Sequence, residues 1–91
     1  MELVFTNGKK MSAVQVEEAC SAIGLELTMK GSLKSLPDNL HWHYKMGKQT
    51  GVLEITWMLN ENKLILTCKK NRKGDWIIKA VEELKQALKH I

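Results

Sequence analysis

The reading of residues 40–69, LHWHYKMGKQTGVLEITWMLNENKLILTCK, decides the fold. Leu40, Trp42, Tyr44 and Met46 alternate with His41, His43 and Lys45. Leu53, Ile55, Trp57 and Leu59 alternate with Val52, Glu54, Thr56 and Met58, and Leu64, Leu66 and Cys68 alternate with Lys63, Ile65, Thr67 and Lys69. Successive side chains of a strand point to opposite faces, so each segment has one apolar face and one mixed face. That is the pattern of antiparallel strands covered on one side only. Gly47-Lys48-Gln49-Thr50 and Asn60-Glu61-Asn62 supply hairpin connections of ordinary length. The stretch predicts a three-stranded meander.

Outward from the meander the periodicity changes to helical. Ser12 and Gln15 have capping-box spacing, and Met11 and Val16 occupy the two positions of a hydrophobic staple. Val16, Ala19, Cys20 and Ile23 then form an apolar stripe that Gly24 ends, giving a helix over about 12–23. After the meander, Asp75 caps a second helix over about 76–89. Its Trp76, Ile77, Ala80, Val81, Leu84, Ala87, Leu88 and Ile91 share one face, and Lys79, Glu82, Glu83, Lys85, Gln86 and Lys89 the other. Glu2–Thr6 reads as a short strand followed by an Asn7-Gly8 turn, and Leu25–Met29 as another short strand. Residues 30–39 hold two serines, a glycine and the only proline, and read as a long loop whose Leu33 and Leu36 tuck onto the core.

Two amphipathic helices and a sheet with one apolar face have one economical solution: both helices pack on that face. The expected class is α+β, a three- or four-stranded antiparallel meander with two helices on one side, in the order (β)-α-(β)-β-β-β-α. A chain of 91 residues makes one domain, 1–91. With 44% hydrophobic and 26% charged residues it is an ordinary globular composition. No apolar run approaches a membrane span, and Leu3-Val4-Phe5 is too short for a signal-peptide core, so no membrane association is expected. Cys20 and Cys68 lie in apolar patterns without Cys-x-x-Cys spacing, which predicts reduced core thiols and a cytoplasmic location.

The formal net charge is +4, and residues 69–79 concentrate the excess, with four lysines and one arginine against Asp75. Lys69, Lys70, Arg72 and Lys73 run into a helix amino terminus, where free backbone N–H groups and the helix dipole favour anions. Phosphate backbones are the commonest large anionic partner, so RNA or DNA is the ligand these four residues suggest, and lysines that simply keep a small domain soluble fit the same pattern. Lys45 shares the mixed sheet face with Lys69 and, with His43, would make secondary contacts. The helix–strands–helix order is similar to that of double-stranded-RNA-binding domains, whose lysine cluster at the second helix grips phosphates. That resemblance is one of topology: the family's Gly-Pro-x-His loop has no counterpart here, and most of the cluster precedes Gly74.

His41-Trp42-His43 puts two imidazoles on the mixed face, with Cβ atoms roughly 7 Å apart. That spacing suits two metal ligands, and Glu54 on the neighbouring segment can supply a third. A pair of solvent-exposed histidines fits the same pattern, and so does acid–base cleavage of RNA. Trp42, Trp57 and Trp76 all fall on apolar faces and read as core. Val52, Met58 and Ile65 lie among polar neighbours on the mixed face, as expected of a surface covered by a protein partner, a second copy or the 30–39 loop. No serine sits in a glycine-flanked elbow, and there is no phosphate-binding glycine loop or dinucleotide fingerprint. The chain therefore reads as a small non-catalytic module without a cofactor. Nucleic-acid backbone binding leads, a protein-interaction or homodimerisation surface follows, and a metal or RNA-cleaving site at His41 and His43 comes third.

Overall fold

Period-two alternation becomes strand pairing in the computed structural model, which describes residues 2–6, 12–33, 36–58, 63–69 and 73–89. The elements are β1 (Glu2–Thr6), α1 (Ala13–Ala22), β2 (Glu26–Leu33), β3 (Leu36–Lys45), β4 (Leu53–Met58), β5 (Lys63–Thr67) and α2 (Asp75–Lys89). They form an α+β fold with one sheet, ordered β1-β5-β4-β3-β2, in which every neighbouring pair is antiparallel. The sheet has five strands where the alternation predicts three or four. Both short segments outside the predicted meander are strands, Glu2–Thr6 as β1 and 26–29 as the start of β2, and these two strands form the edges. α1 links these opposite edges, so it crosses one face of the sheet.

Of the loop expected at 30–39, residues 30–33 are instead the end of β2 and residues 36–39 the beginning of β3. Gly31 pairs with His41 and Ser32 with Leu40, so hydrogen bonds from the partner strand override the weak local preference of these residues. β2 is an edge strand, where irregularity is tolerated, and its register shifts between Leu27 and Met29 and again between Ser32 and Leu33. Pro37 lies one residue inside the start of β3. Residues 30–33 and 36–39 are thus part of the sheet and do not lie over the mixed face. The expected tucking of Leu33 and Leu36, the Asn7-Gly8 turn, the Met11–Val16 staple and the Asn60–Asn62 connection lie outside the described residues or side chains.

α1 starts as its sequence predicts. Gln15 N–H donates to Ser12 Oγ at 3.2 Å, and Ser12 N–H donates to Gln15 Oε1 at 2.8 Å, which satisfies two of the helix's free amides. Gly24 adopts φ +86°, a left-handed conformation in which an L side chain is strained, and the chain turns there into β2. α2 begins at Asp75, so this residue is the first of the helix rather than the one before it.

Both helices cover the same face. Val16 and Cys20 of α1 and Trp76, Ile77, Ala80, Val81, Leu84 and Leu88 of α2 join Trp42, Tyr44, Leu53, Ile55, Trp57, Leu64 and Leu66 in one core. All three tryptophans are buried, which bears out their reading as core. Lys30, on the helix side of edge strand β2, reaches Glu17 of α1 at 3.1 Å. Cys20 and Cys68 are buried thiols that form no disulfide. Burial pushes the Cys20 thiol up to about 12, while the Tyr44 hydroxyl donates to its sulfur. Burial raises Tyr44 above its usual value as well.

The connection between β3 and β4 is bolted to the start of α2. The Trp76 indole N–H donates to the Thr50 carbonyl at 2.9 Å. A Cβ at Gly74 would overlap that same carbonyl oxygen, so only glycine lets the two loops approach this closely.

Gly74→Ala should therefore lower stability by about 1–3 kcal/mol, the usual cost of overpacking. Gly31→Ala, where nothing lies within 4 Å of the added Cβ, should stay within about 0.5 kcal/mol in the same urea titration. The raised thiol gives a second expectation. Between the ordinary value of 9.0 and about 12 the unfolded chain releases the Cys20 proton and the native chain holds it. The native state then binds more protons, so stability falls as pH rises through that window. Urea midpoints measured at pH 8 and pH 10.5 should fall less in Cys20→Ala than in the parent chain.

Candidate metal centre

The burial pattern of β4 breaks its own alternation at one residue. Leu53, Ile55 and Trp57 are buried against the helices, while Thr56 and Met58 on the opposite face are half-buried. Glu54 belongs to that opposite face, yet it is only 5% exposed. A buried carboxylate is costly unless it is paired, so its neighbours are informative.

Strand register supplies them. β3 and β4 pair so that His43 lies directly opposite Glu54 and His41 opposite Thr56. The imidazoles, two residues apart on one strand, project from the same face, with ring centroids 4.9 Å apart and planes at 73°. His41 Nε2 stands 3.0 Å from His43 Nε2. Glu54 Oε1 is 3.3 Å from His41 Nε2 and 3.4 Å from His43 Nε2. The other imidazole nitrogen of His41, Nδ1, lies 2.8 Å from Thr56 Oγ1. Where the Thr56 hydroxyl accepts from Nδ1–H, the lone pair of His41 sits on Nε2, facing His43 and Glu54.

Three donor atoms therefore converge, and hydrogen bonds alone satisfy them poorly. Each Nε2 carries at most one proton. A proton on one nitrogen serves the contact between imidazoles or the carboxylate, and protons on both make the 3.0 Å contact repulsive. One cation at the centre satisfies all three contacts at once. Bonds of about 2.0–2.1 Å to nitrogen and oxygen in tetrahedral geometry place neighbouring donors about 3.3 Å apart. The observed separations fall around that value. His41, His43 and Glu54 are the one His/Cys/Asp/Glu group of this kind among the described residues.

Glu54 also faces the other way. Its Oε2 is buried without a hydrogen-bond partner among the described residues and lies 3.7 Å from the Lys69 ammonium. Lys69, expected to contact a nucleic-acid backbone, thus reaches back toward the carboxylate, with its side chain 58% exposed. Lys73 is exposed, Lys45 is half-buried, and Lys70 and Arg72 lie outside the described residues. His43, expected as a secondary backbone contact, belongs to the cluster. Both histidines are about one-fifth exposed rather than fully solvated, because cross-strand neighbours enclose them. Val52, Met58 and Ile65 are half-buried on the same helix-free face.

His41, His43 and Glu54 are legible in the sequence as a metal-ligand set. The roles of Thr56 and of Lys69 beside Glu54 are not, because each depends on which residue stands opposite which. No protein-family model, curated protein or solved structure matches this chain.

Proposed function

We propose that this domain binds a divalent transition-metal ion of the zinc class through His41 Nε2, His43 Nε2 and Glu54 Oε1. The observation that carries the reading is the mutual separation of these three atoms, 3.0, 3.3 and 3.4 Å, the spacing of neighbouring ligands around one small cation. Two imidazoles and a carboxylate suit zinc and its borderline neighbours better than calcium or magnesium, which prefer all-oxygen sites. Thr56 acts on the metal through His41, fixing its ring orientation and tautomer as outer partners of metal-bound histidines do.

The ion is an addition to a fold that stands without it. The ligands lie on two strands already paired through their backbones, and the apolar core is on the opposite face. This differs from small zinc modules whose folding energy comes from the metal.

Chelator-treated protein should therefore keep its far-ultraviolet circular dichroism and bind one zinc ion per chain by titration calorimetry. Zinc at a hundredfold excess over Kd should raise stability by about 2.7 kcal/mol. Thr56→Val should weaken binding about 10- to 100-fold with the ligands intact. His43→Ala and Glu54→Gln, folded by circular dichroism, should lose more than that. Zinc affinity unchanged in both ligand variants would overturn the reading.

A further inference from the structure

Among the described residues the metal group contains three protein donors, whereas zinc-class ions take at least four ligands. Three protein ligands with an exchangeable fourth position is the arrangement of sites that bind something from solution, in contrast to closed structural sites. The histidine side chains are 19% and 20% exposed, so solvent reaches the two imidazole side chains from the helix-free side. What occupies the fourth position follows from the charges around it.

A divalent ion held by two neutral imidazoles and one carboxylate keeps one net positive charge. Lys69 adds a second, since its ammonium stands 3.7 Å from the far oxygen of the same carboxylate. That distance exceeds direct hydrogen-bond length, and the side chain is 58% exposed, so the ammonium can turn toward a ligand on the ion. Glu54 Oε2 is buried and lacks a hydrogen-bond partner among the described residues. The ammonium is thereby kept near the ion without a fixed geometry that a ligand must break. Two positive charges a few ångströms apart, one a Lewis acid and one a hydrogen-bond donor, match a tetrahedral oxyanion that offers oxygens in two directions.

Resting on the metal reading above, we infer that the ion held by His41, His43 and Glu54 binds a phosphate-class oxyanion at its remaining position, with Lys69 as the second contact. One phosphate oxygen coordinates the ion and another accepts from Lys69 Nζ. In the sequence Lys69 also opens the cationic run Lys69, Lys70, Arg72 and Lys73, so the segment that carries it is rich in positive charge. A dianion such as inorganic phosphate or a phosphate monoester balances both charges, while a diester or a carboxylate carries only one negative charge. The site therefore favours the dianions.

Cobalt(II) in place of zinc makes the site visible, because its absorption reports on coordination. The full chain, loaded with one equivalent of cobalt(II), is titrated with inorganic phosphate, phenyl phosphate, dimethyl phosphate and acetate. Inorganic and phenyl phosphate should shift the cobalt spectrum at concentrations at least tenfold below dimethyl phosphate and acetate. Lys69→Gln, saturated with cobalt, should bind phosphate about tenfold more weakly. Lys79→Gln, on an exposed turn of α2, should leave phosphate affinity unchanged. A cobalt spectrum indifferent to phosphate overturns the oxyanion inference and leaves the metal reading standing. Equal phosphate affinity in Lys69→Gln and the parent chain overturns the role of Lys69. Stronger binding of dimethyl phosphate than of phenyl phosphate overturns the dianion preference and points to a diester backbone. Failure to bind cobalt or zinc removes the metal reading and this inference with it.

Discussion

The register between β3 and β4 is the constraint on which this molecule depends. Because side chains alternate, a slip of one residue would turn Trp42 and Tyr44 to solvent and drive His41 and His43 into the core. In the observed register Trp42 pairs with Ile55 and Leu40 with Trp57 on the helix side, and His43 pairs with Glu54 on the other. Core and candidate site are thus two faces of one alignment. The apolar face sets it, since its burial is the dominant favourable term, and the polar cluster follows as a consequence. The bolt from Trp76 to the Thr50 carbonyl holds the connection between these strands and ties it to α2.

A buried carboxylate in the middle of a helix-free sheet face is unusual enough to need a reason. Glu54 meets two imidazoles through one oxygen and an ammonium through the other. For stability alone, an apolar residue at this position would serve at least as well, because the desolvation cost of a charge often exceeds what pairing returns. Val52, Met58 and Ile65 show that apolar residues are accommodated on this face. The chemistry of the cluster is therefore more economically explained by what it holds than by what it adds to the fold.

The cysteine and tyrosine of the core show the opposite case. Cys20 and Tyr44 are reactive residue types placed where burial disfavours their ionised forms, and the thiolate chemistry that would make Cys20 a nucleophile is suppressed. They pack and share a hydrogen bond. The same burial that disarms Cys20 is absent at the histidines, which remain open to solvent along one side.

The sequence by itself determined the two amphipathic helices, the capping box at Ser12, the alternation of the three central strands and the face on which each histidine lies. These are local properties, carried by the period of the apolar residues and by short-range hydrogen bonds. It also placed Glu54 on the face of the histidines, because parity along a strand is local too. Tertiary structure alone decided the strand character of residues 30–33 and 36–39, where Gly31 and Ser32 have little preference of their own and pairing with His41 and Leu40 prevails. It likewise decided that Glu54 stands opposite His43, that Thr56 meets His41, and that Lys69 turns to the carboxylate. Those contacts depend on how many residues the connection between β3 and β4 takes up and on where β5 lies. The reason is physical: periodicity fixes direction, while proximity between distant residues is set by packing.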